Sequence, residues 1–429
     1  MYPNLYYAFR DLFGVEIQGL RFVNSFGFFV ALAFLAAAYI LTKELKRKER
    51  AALLHGEDVT IEVGKAASIS DLLLNFILGF ILGYKIIGLF LSDSDLTADP
   101  QLYIFSKEGN LAAGLILGLF FAGVKWWEKN KQRLKVPEKR IIRIWPHDRV
   151  GDIVIYAAIA GFLGAKVFHN LENWKDFSEN PMEALLSFSG LTFYGGLICG
   201  TIAIIYYARK HKISVRHLAD AIAPALLLAY AVGRIGCQVS GDGDWGILNS
   251  AYITTKESRV IAADTTTVNR QMMTHTVYYT KTFNTIDQVE HTPVLAPSWL
   301  PVWMVAFHYP HNVINEGVPI HSCADKNYCN QLPVPVFPTP FYETVLCLVL
   351  FALLWALRKN LTVPGTVFAI YLVLNGIERF LIEKIRVNSR YDIYGFHPTQ
   401  AEIISSLLIF TGIALFIILQ RREHSNRVS

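Results

Sequence analysis

Apolar stretches of about twenty residues, each long enough to cross ~30 Å of hydrocarbon as a helix, recur along almost the whole chain. They fall near residues 23–42, 71–92, 111–127, 152–168, 190–208, 217–236, 341–357, 364–383 and 400–420. The pattern predicts about nine membrane-crossing helices. Asp152, Lys166, Asp220 and Arg234 border or interrupt the fourth and sixth. One polar segment, 247–337, rich in Thr, His, Pro and Tyr, breaks the rhythm. Within it Val260–Ala263, Thr274–Thr282 and Val302–His308 lie between turn signals and predict short strands. The expected architecture is an all-α polytopic membrane protein with a small β-rich extracytoplasmic insertion. Its core is divided into residues 1–246, with about six spans, and 338–420, with about three, followed by a tail at 421–429.

Charge placement orients this core. Lys43, Lys46, Arg47, Lys48 and Arg50 follow the first span, and a dense basic run from Lys125 to Arg149 follows the third. Arg209, Lys210, Lys212 and Arg216 follow the fifth, Arg358 and Lys359 the seventh, Arg421 and Arg422 the last. The alternate loops carry fewer cations, and 169–189 leans acidic. The positive-inside rule puts the N-terminus outside and the C-terminus in the cytoplasm, which requires an odd number of spans. No basic segment precedes the first span, so it reads as a retained helix rather than a cleaved signal.

Composition agrees. Hydrophobic residues make up 53% of the 429 and charged residues only 17%, too few to cover a water-soluble protein of this size. A net charge of +5 over this length excludes a nucleic-acid binder. Cys199, Cys237 and Cys347 fall in or beside apolar runs and read as buried small hydrophobes. In the insertion, His308, His311, His321, Cys323 and Cys329 fit no standard zinc spacing, and an oxidising compartment favours a local Cys323–Cys329 disulfide. Several helix starts carry capping signals: Asn24–Ser25, Thr339 followed by Pro340, and the Thr399-x-x-Glu402 box.

Ionisable groups at membrane depth are functional candidates by default, and two clusters qualify. The run from Gly233 to Gly246, GRIGCQVSGDGDWG, takes Arg234 from an apolar helix straight into a glycine-rich acidic turn. Its glycines let the backbone approach a ligand closely, and arginine forks onto phosphate better than any other side chain. The second cluster, Glu378-Arg379-Phe380-Leu381-Ile382-Glu383-Lys384-Ile385-Arg386, puts Arg379, Glu383 and Arg386 on one helical face, with Glu378 pointing elsewhere. Together these arginines predict a pocket for an anionic head group open to the exterior; a transporter or lipid-moving protein for an anionic cargo would use the same cations. The transporter reading predicts internal repeats, and the sequence offers none of useful length.

In order, TFYGGL at 192–197, GRIGC…GDGDWG at 233–246, PTPFYE at 338–343 and ERFLIEKIR at 378–386 resemble the bacterial prolipoprotein diacylglyceryl transferase family. The likeness runs from Arg21 onward over most of the membrane portion. It implies a multi-pass enzyme of the bacterial cytoplasmic membrane that moves the diacylglyceryl group of phosphatidylglycerol to the lipobox cysteine of a preprolipoprotein, releasing glycerol 1-phosphate, with no cofactor or metal. By the resemblance, catalysis falls to Arg234, Arg379, Tyr194 and Asp242. Substrate binding falls to Arg234, Gly246, Cys237, Glu343, Glu383, Arg386 and Phe26. Tyr194 stands where the family pattern has His, Cys237 where some members have Asn and Phe26 where some have Tyr. The proton acceptor is therefore open among an acid, Tyr194 and solvent.

Overall fold

The computed structural model describes residues 1–91, 103–104, 106–186, 192–283, 285–321, 323, 327–388, 391–392 and 395–428. Each predicted span is met by a long helix: α1 (Ser25–Arg50), α2 (Ile69–Leu91), α3 (Leu111–Lys131), α4 (Val150–Glu172), α5 (Phe193–Lys210), α6 (Val215–Ser240), α7 (Thr339–Leu357), α8 (Thr366–Glu383) and α9 (Gln400–Val428). Residues 92 and 190–191, at the edges of the second and fifth predicted spans, lie outside the described residues. Seven of these helices are long and apolar enough to cross a membrane. The other two, α5 and α8, have 18 residues each; α5 ends on Arg209 and Lys210, and α8 carries Glu378, Arg379 and Glu383. The chain is a multi-pass membrane protein, and it divides into two compact units, Lys48–Val215 and Met1–Arg47 with Arg216–Ser429.

In the unit Lys48–Val215, helices pair through glycine, as expected where lipid-like interiors leave close packing to hold helices together. A Cβ on Gly79 of α2 would lie 2.5 Å from the Leu117 carbonyl oxygen of α3, and one on Gly195 of α5 the same distance from that of Gly164 in α4. Two strands, β1 (Glu57–Val63) and β2 (Glu138–Ile144), pair antiparallel with Glu57 opposite Ile144. Arg143 forks onto Asp58 at 2.7 and 3.0 Å, and Arg149 reaches Glu57 at 2.9 Å. Part of the basic run after α3 is thus strand.

The other unit is built on α6, whose Ala223 and Leu227 pack with Leu354 of α7 and Val367 of α8. Gly376 of α8 and Gly412 of α9 bring those helices together, since Cβ atoms there would lie 2.8 Å from the Ser405 and Ala369 carbonyl oxygens. At one end, buried Glu44 of α1 accepts from Arg358 at the end of α7 at 2.9 Å, and also from Arg47. At the starts of α6 and α8, Asp220 accepts from the backbone N–H groups of Gly365 and Phe368 at 2.8 and 3.0 Å. At α1 and α6, Gly236 near the end of α6 packs against Phe26 and Phe29 near the start of α1. Consecutive helices of this unit therefore alternate in direction, as odd and even spans must.

The insertion departs from the strand reading. Only Val260–Ala262 forms a strand where one was predicted, pairing with Tyr252–Thr254. Residues 265–283 are instead two helices, Thr265–Thr274 and Thr276–Phe283, and Val302–Met304 is a 3-10 turn. Asp264 caps the first helix at the Thr267 N–H (3.1 Å). Val268, Met272 and Tyr279, spaced for helical faces, enter a buried core with Leu248, Tyr309, Leu332, Val334 and Val336. Burial of that face overrides the β preference of the Thr, Val and Tyr residues. Cys323 and Cys329 are joined in a disulfide, with Cα atoms 5.7 Å apart. Tyr309, fully buried, donates to Gln238 of α6 at 2.8 Å and ties the insertion to the helix that carries Arg234.

Two predicted caps are present: Asn24 accepts from the Phe26 N–H at 2.8 Å, and Thr399 and Glu402 form the reciprocal box. The third is not. Helix α7 has no side-chain cap, and Thr339 instead donates to the Asp244 carbonyl at 2.9 Å, fastening the glycine-rich turn to the start of α7.

Candidate active site

Arg234 lies in the second-last turn of α6, Glu343 in the first turns of α7, and Arg379 and Glu383 in the last turns of α8. The alternation of helix direction brings these three ends together. Glu343 has no exposed surface, and three guanidiniums converge on it. Its Oε2 lies 2.5 Å from Arg234 Nε, while its Oε1 lies 3.2 Å from Arg379 Nη1 and 3.5 Å from Arg386 Nη1. A carboxylate buried without such partners would be costly, and so would three buried cations without it.

A second carboxylate closes the outer side. Asp244 pairs with both Arg234 and Arg386. The glycine turn sets its place: Gly241 and Gly243 take φ of 64° and 95°, the left-handed region that glycine enters without strain. Asp244 is 34% exposed, the most accessible acid of the group. Burial works to raise its carboxyl, but Arg234 and Arg386 outweigh burial and hold it below the usual carboxylate range. Asp242, two residues earlier, does not bridge the arginines. It accepts from the Asp244 N–H at 3.3 Å, and burial raises its carboxyl above the ordinary value. The sequence reading singles out Asp242 and passes over Asp244, the aspartate that lies between the cations.

Arg386 also departs from expectation. Helix α8 ends at Glu383, so Arg386 is not on its face at i+7. The chain turns and forms a β-bridge in which Arg386 lies opposite Gly246. Gly246 N–H donates to the Phe337 carbonyl and Ile247 N–H to that of Ile385, both at 2.9 Å. A Cβ on Gly246 would lie 2.6 Å from Ile385 O and 2.9 Å from Thr339 Cγ2. Only glycine lets these three segments close, and that closure places Arg386. Glu383 pairs with Arg379 at 3.1 Å, as its i+4 spacing predicts, and accepts from Asn388 at 2.7 Å.

Arg234 uses its remaining edges on Tyr230, whose hydroxyl is 3.4 Å from Nη2, and on the Cys237 sulfur at 3.7 Å. Phe26 packs beside Gly236, the residue before Cys237. Buried Glu378 stays apart, its carboxylate accepting no hydrogen bond among the described residues. Tyr194 belongs to the other compact unit, where it is half-buried in the first turn of α5 beside Gly195.

Three guanidiniums thus face Asp244, Glu343 and Glu383, with matched charge. An anion with several acceptor oxygens can replace the accessible Asp244 carboxylate while Glu343 keeps the arginines in place beneath it. Such fixed forks suit a phosphodiester.

Comparison with known proteins gives one family. A model described as prolipoprotein diacylglyceryl transferase matches residues 110–418. Among curated relatives, the Staphylococcus carnosus phosphatidylglycerol–prolipoprotein diacylglyceryl transferase is 26% identical over 308 residues, covering 72% of this chain and 83% of the relative. The Corynebacterium diphtheriae protein of the same name is 27% identical, with 64% and 80% covered, and the one from Dehalococcoides mccartyi 25%, with 65% and 79% covered.

Proposed function

The chain belongs to the prolipoprotein diacylglyceryl transferase family, and from that premise we propose that the arginine cluster holds the phosphodiester of phosphatidylglycerol during transfer of its diacylglyceryl group to a prolipoprotein. The acceptor is the lipobox cysteine of the signal-bearing precursor. Its sulfur attacks the glyceryl carbon that carries the phosphate ester. The carbon–oxygen bond breaks, a thioether forms, and glycerol 1-phosphate leaves with the electron pair. The phosphate passes from one negative charge to nearly two, and that added charge is what preorganised donors stabilise best. Arg234, Arg379 and Arg386 are already oriented by Glu343, so little reorganisation accompanies the reaction. The nucleophile comes from the substrate, and no step calls for a metal or cofactor. For a bacterial chain of this family, the cytoplasmic membrane is the place of action.

The observation that carries this reading is the convergence of three guanidiniums on one fully buried carboxylate. Purified protein incubated with phosphatidylglycerol and a lipobox peptide should give a thioether adduct by mass spectrometry, and a serine peptide should give none. Absence of the adduct from the cysteine peptide would overturn the proposal.

The thiol's proton needs an acceptor. Asp242 is suited to the task, because burial raises its carboxyl and a stronger base results. The acid form cannot accept a proton, so transfer should fall as pH drops through the raised value and be fully present above it. Asp242→Asn should lose that acidic limb and slow transfer by ~10²-fold at neutral pH. An unchanged pH–rate profile in this variant would assign the proton to another group, Tyr194 or solvent.

A further inference from the structure

The three-segment junction at Gly246 is also the floor of a cleft. A cavity of about 770 Å³, on the scale of ligand sites, is lined by Trp245, Gly246 and Arg386 from the arginine site and by the insertion helix Thr276–Phe283 and the loop 314–318 on its other side. The charged side chains themselves, Arg234, Arg379, Arg386, Asp244 and Glu343, all lie outside 247–337. What it adds to the site is this wall.

The wall has a definite character. Val277 is 84% exposed and Ile314 is 46% exposed, so apolar surface faces the opening. Lys281 and Glu316 add one charge of each sign. Arg386 also borders the cleft, but it belongs to the phosphate site through Asp244 and Glu343, which leaves Lys281 as the lysine or arginine of the wall itself among the described residues. Such a surface is poorly matched to an anionic head group. Mixed charge and exposed aliphatic side chains suit a length of polypeptide.

We infer that this cleft receives the extracytoplasmic stretch of the acceptor, the residues that follow the modified cysteine. The inference rests on the transferase reading above. An acceptor thiol that reaches the arginines from the lipid side must continue as a chain on the insertion side, and this open cleft begins at Gly246 and Arg386. The insertion therefore selects the acceptor and holds it, and takes no part in bond breaking.

The test compares two synthetic acceptors, one ending at the cysteine amide and one continuing for several residues. With wild-type protein the longer peptide should show a KM lower by ~10-fold, the scale of one good contact residue. Val277→Arg and Lys281→Glu, both on the exposed helix surface, should each raise the KM of the longer peptide about 5-fold. They should leave kcat, the KM for phosphatidylglycerol and the shorter peptide unchanged. Equal KM values for the two peptides with wild-type protein would overturn the inference, as would variants that act on phosphatidylglycerol instead. Failure of wild-type protein to modify either peptide would sink the transferase reading, and this inference with it.

Discussion

Alanine at Arg234 should lower kcat/KM for diacylglyceryl transfer by about 10³-fold, the upper range for loss of one preorganised oxyanion donor, while the protein still folds. Arg234 spans the two carboxylates, as Arg386 also does, with Nε on Glu343 and Nη1 on Asp244. Its removal leaves Glu343 paired with Arg379 and Arg386, so the buried charge keeps partners and the helix bundle survives. Arg234→Lys keeps the charge but loses the fork, since one ammonium cannot face both sites at once. Lysine should therefore recover only a small part of the rate. Steady-state kinetics with a lipobox peptide, alongside circular dichroism, measures both effects. Arg234→Ala turnover within a few-fold of wild type would remove this side chain from the chemistry.

Glu343→Ala has the opposite profile, with stability lost first. Three guanidiniums lose their common partner inside a membrane core. Breaking a buried ion pair from one side costs about 3–5 kcal/mol. The melting temperature in detergent should fall well below that of wild type, and transfer should be abolished. Glu343→Gln restores an acceptor without its charge and should recover part of the stability but little of the rate. An unchanged melting temperature for Glu343→Ala would mean the arginines hold their positions by other contacts.

Much of this arrangement could be read before any coordinates. Runs of apolar residues give helices wherever lipid forbids unpaired backbone, so the long helices fell where hydropathy put them. Arg379 and Glu383 meet because i+4 neighbours on a helix always do. The misses have physical causes. Arg386 was extrapolated along a helix that stops at Glu383, and its true partner, Gly246, lies far away in the chain. Whether Asp242 or Asp244 lies between the arginines depends on two left-handed glycines, a choice of backbone angle that residue identity does not reveal. The Lys125–Arg149 run enters the sequence reading for its charge alone, and part of it pairs as a strand with Glu57–Val63, some eighty residues earlier. In the insertion, the Thr-Val-Tyr-Tyr segment favours strand locally, and burial of Tyr279 within a core shared with Leu248 and Tyr309 decides for helix.

The ion pair between Glu44 and Arg358, 314 residues apart, has a bearing on biogenesis. Glu343, Arg379 and Arg386 likewise come from the last quarter of the chain, as do the N–H groups that meet Asp220. While the ribosome is still translating the insertion, the acids and arginine of the earlier helices are already in the bilayer, and the groups that will hold them have yet to be made. The arginine cluster therefore cannot be complete until the last helices are made, because α7 and α8 supply the groups that meet helices earlier in the chain.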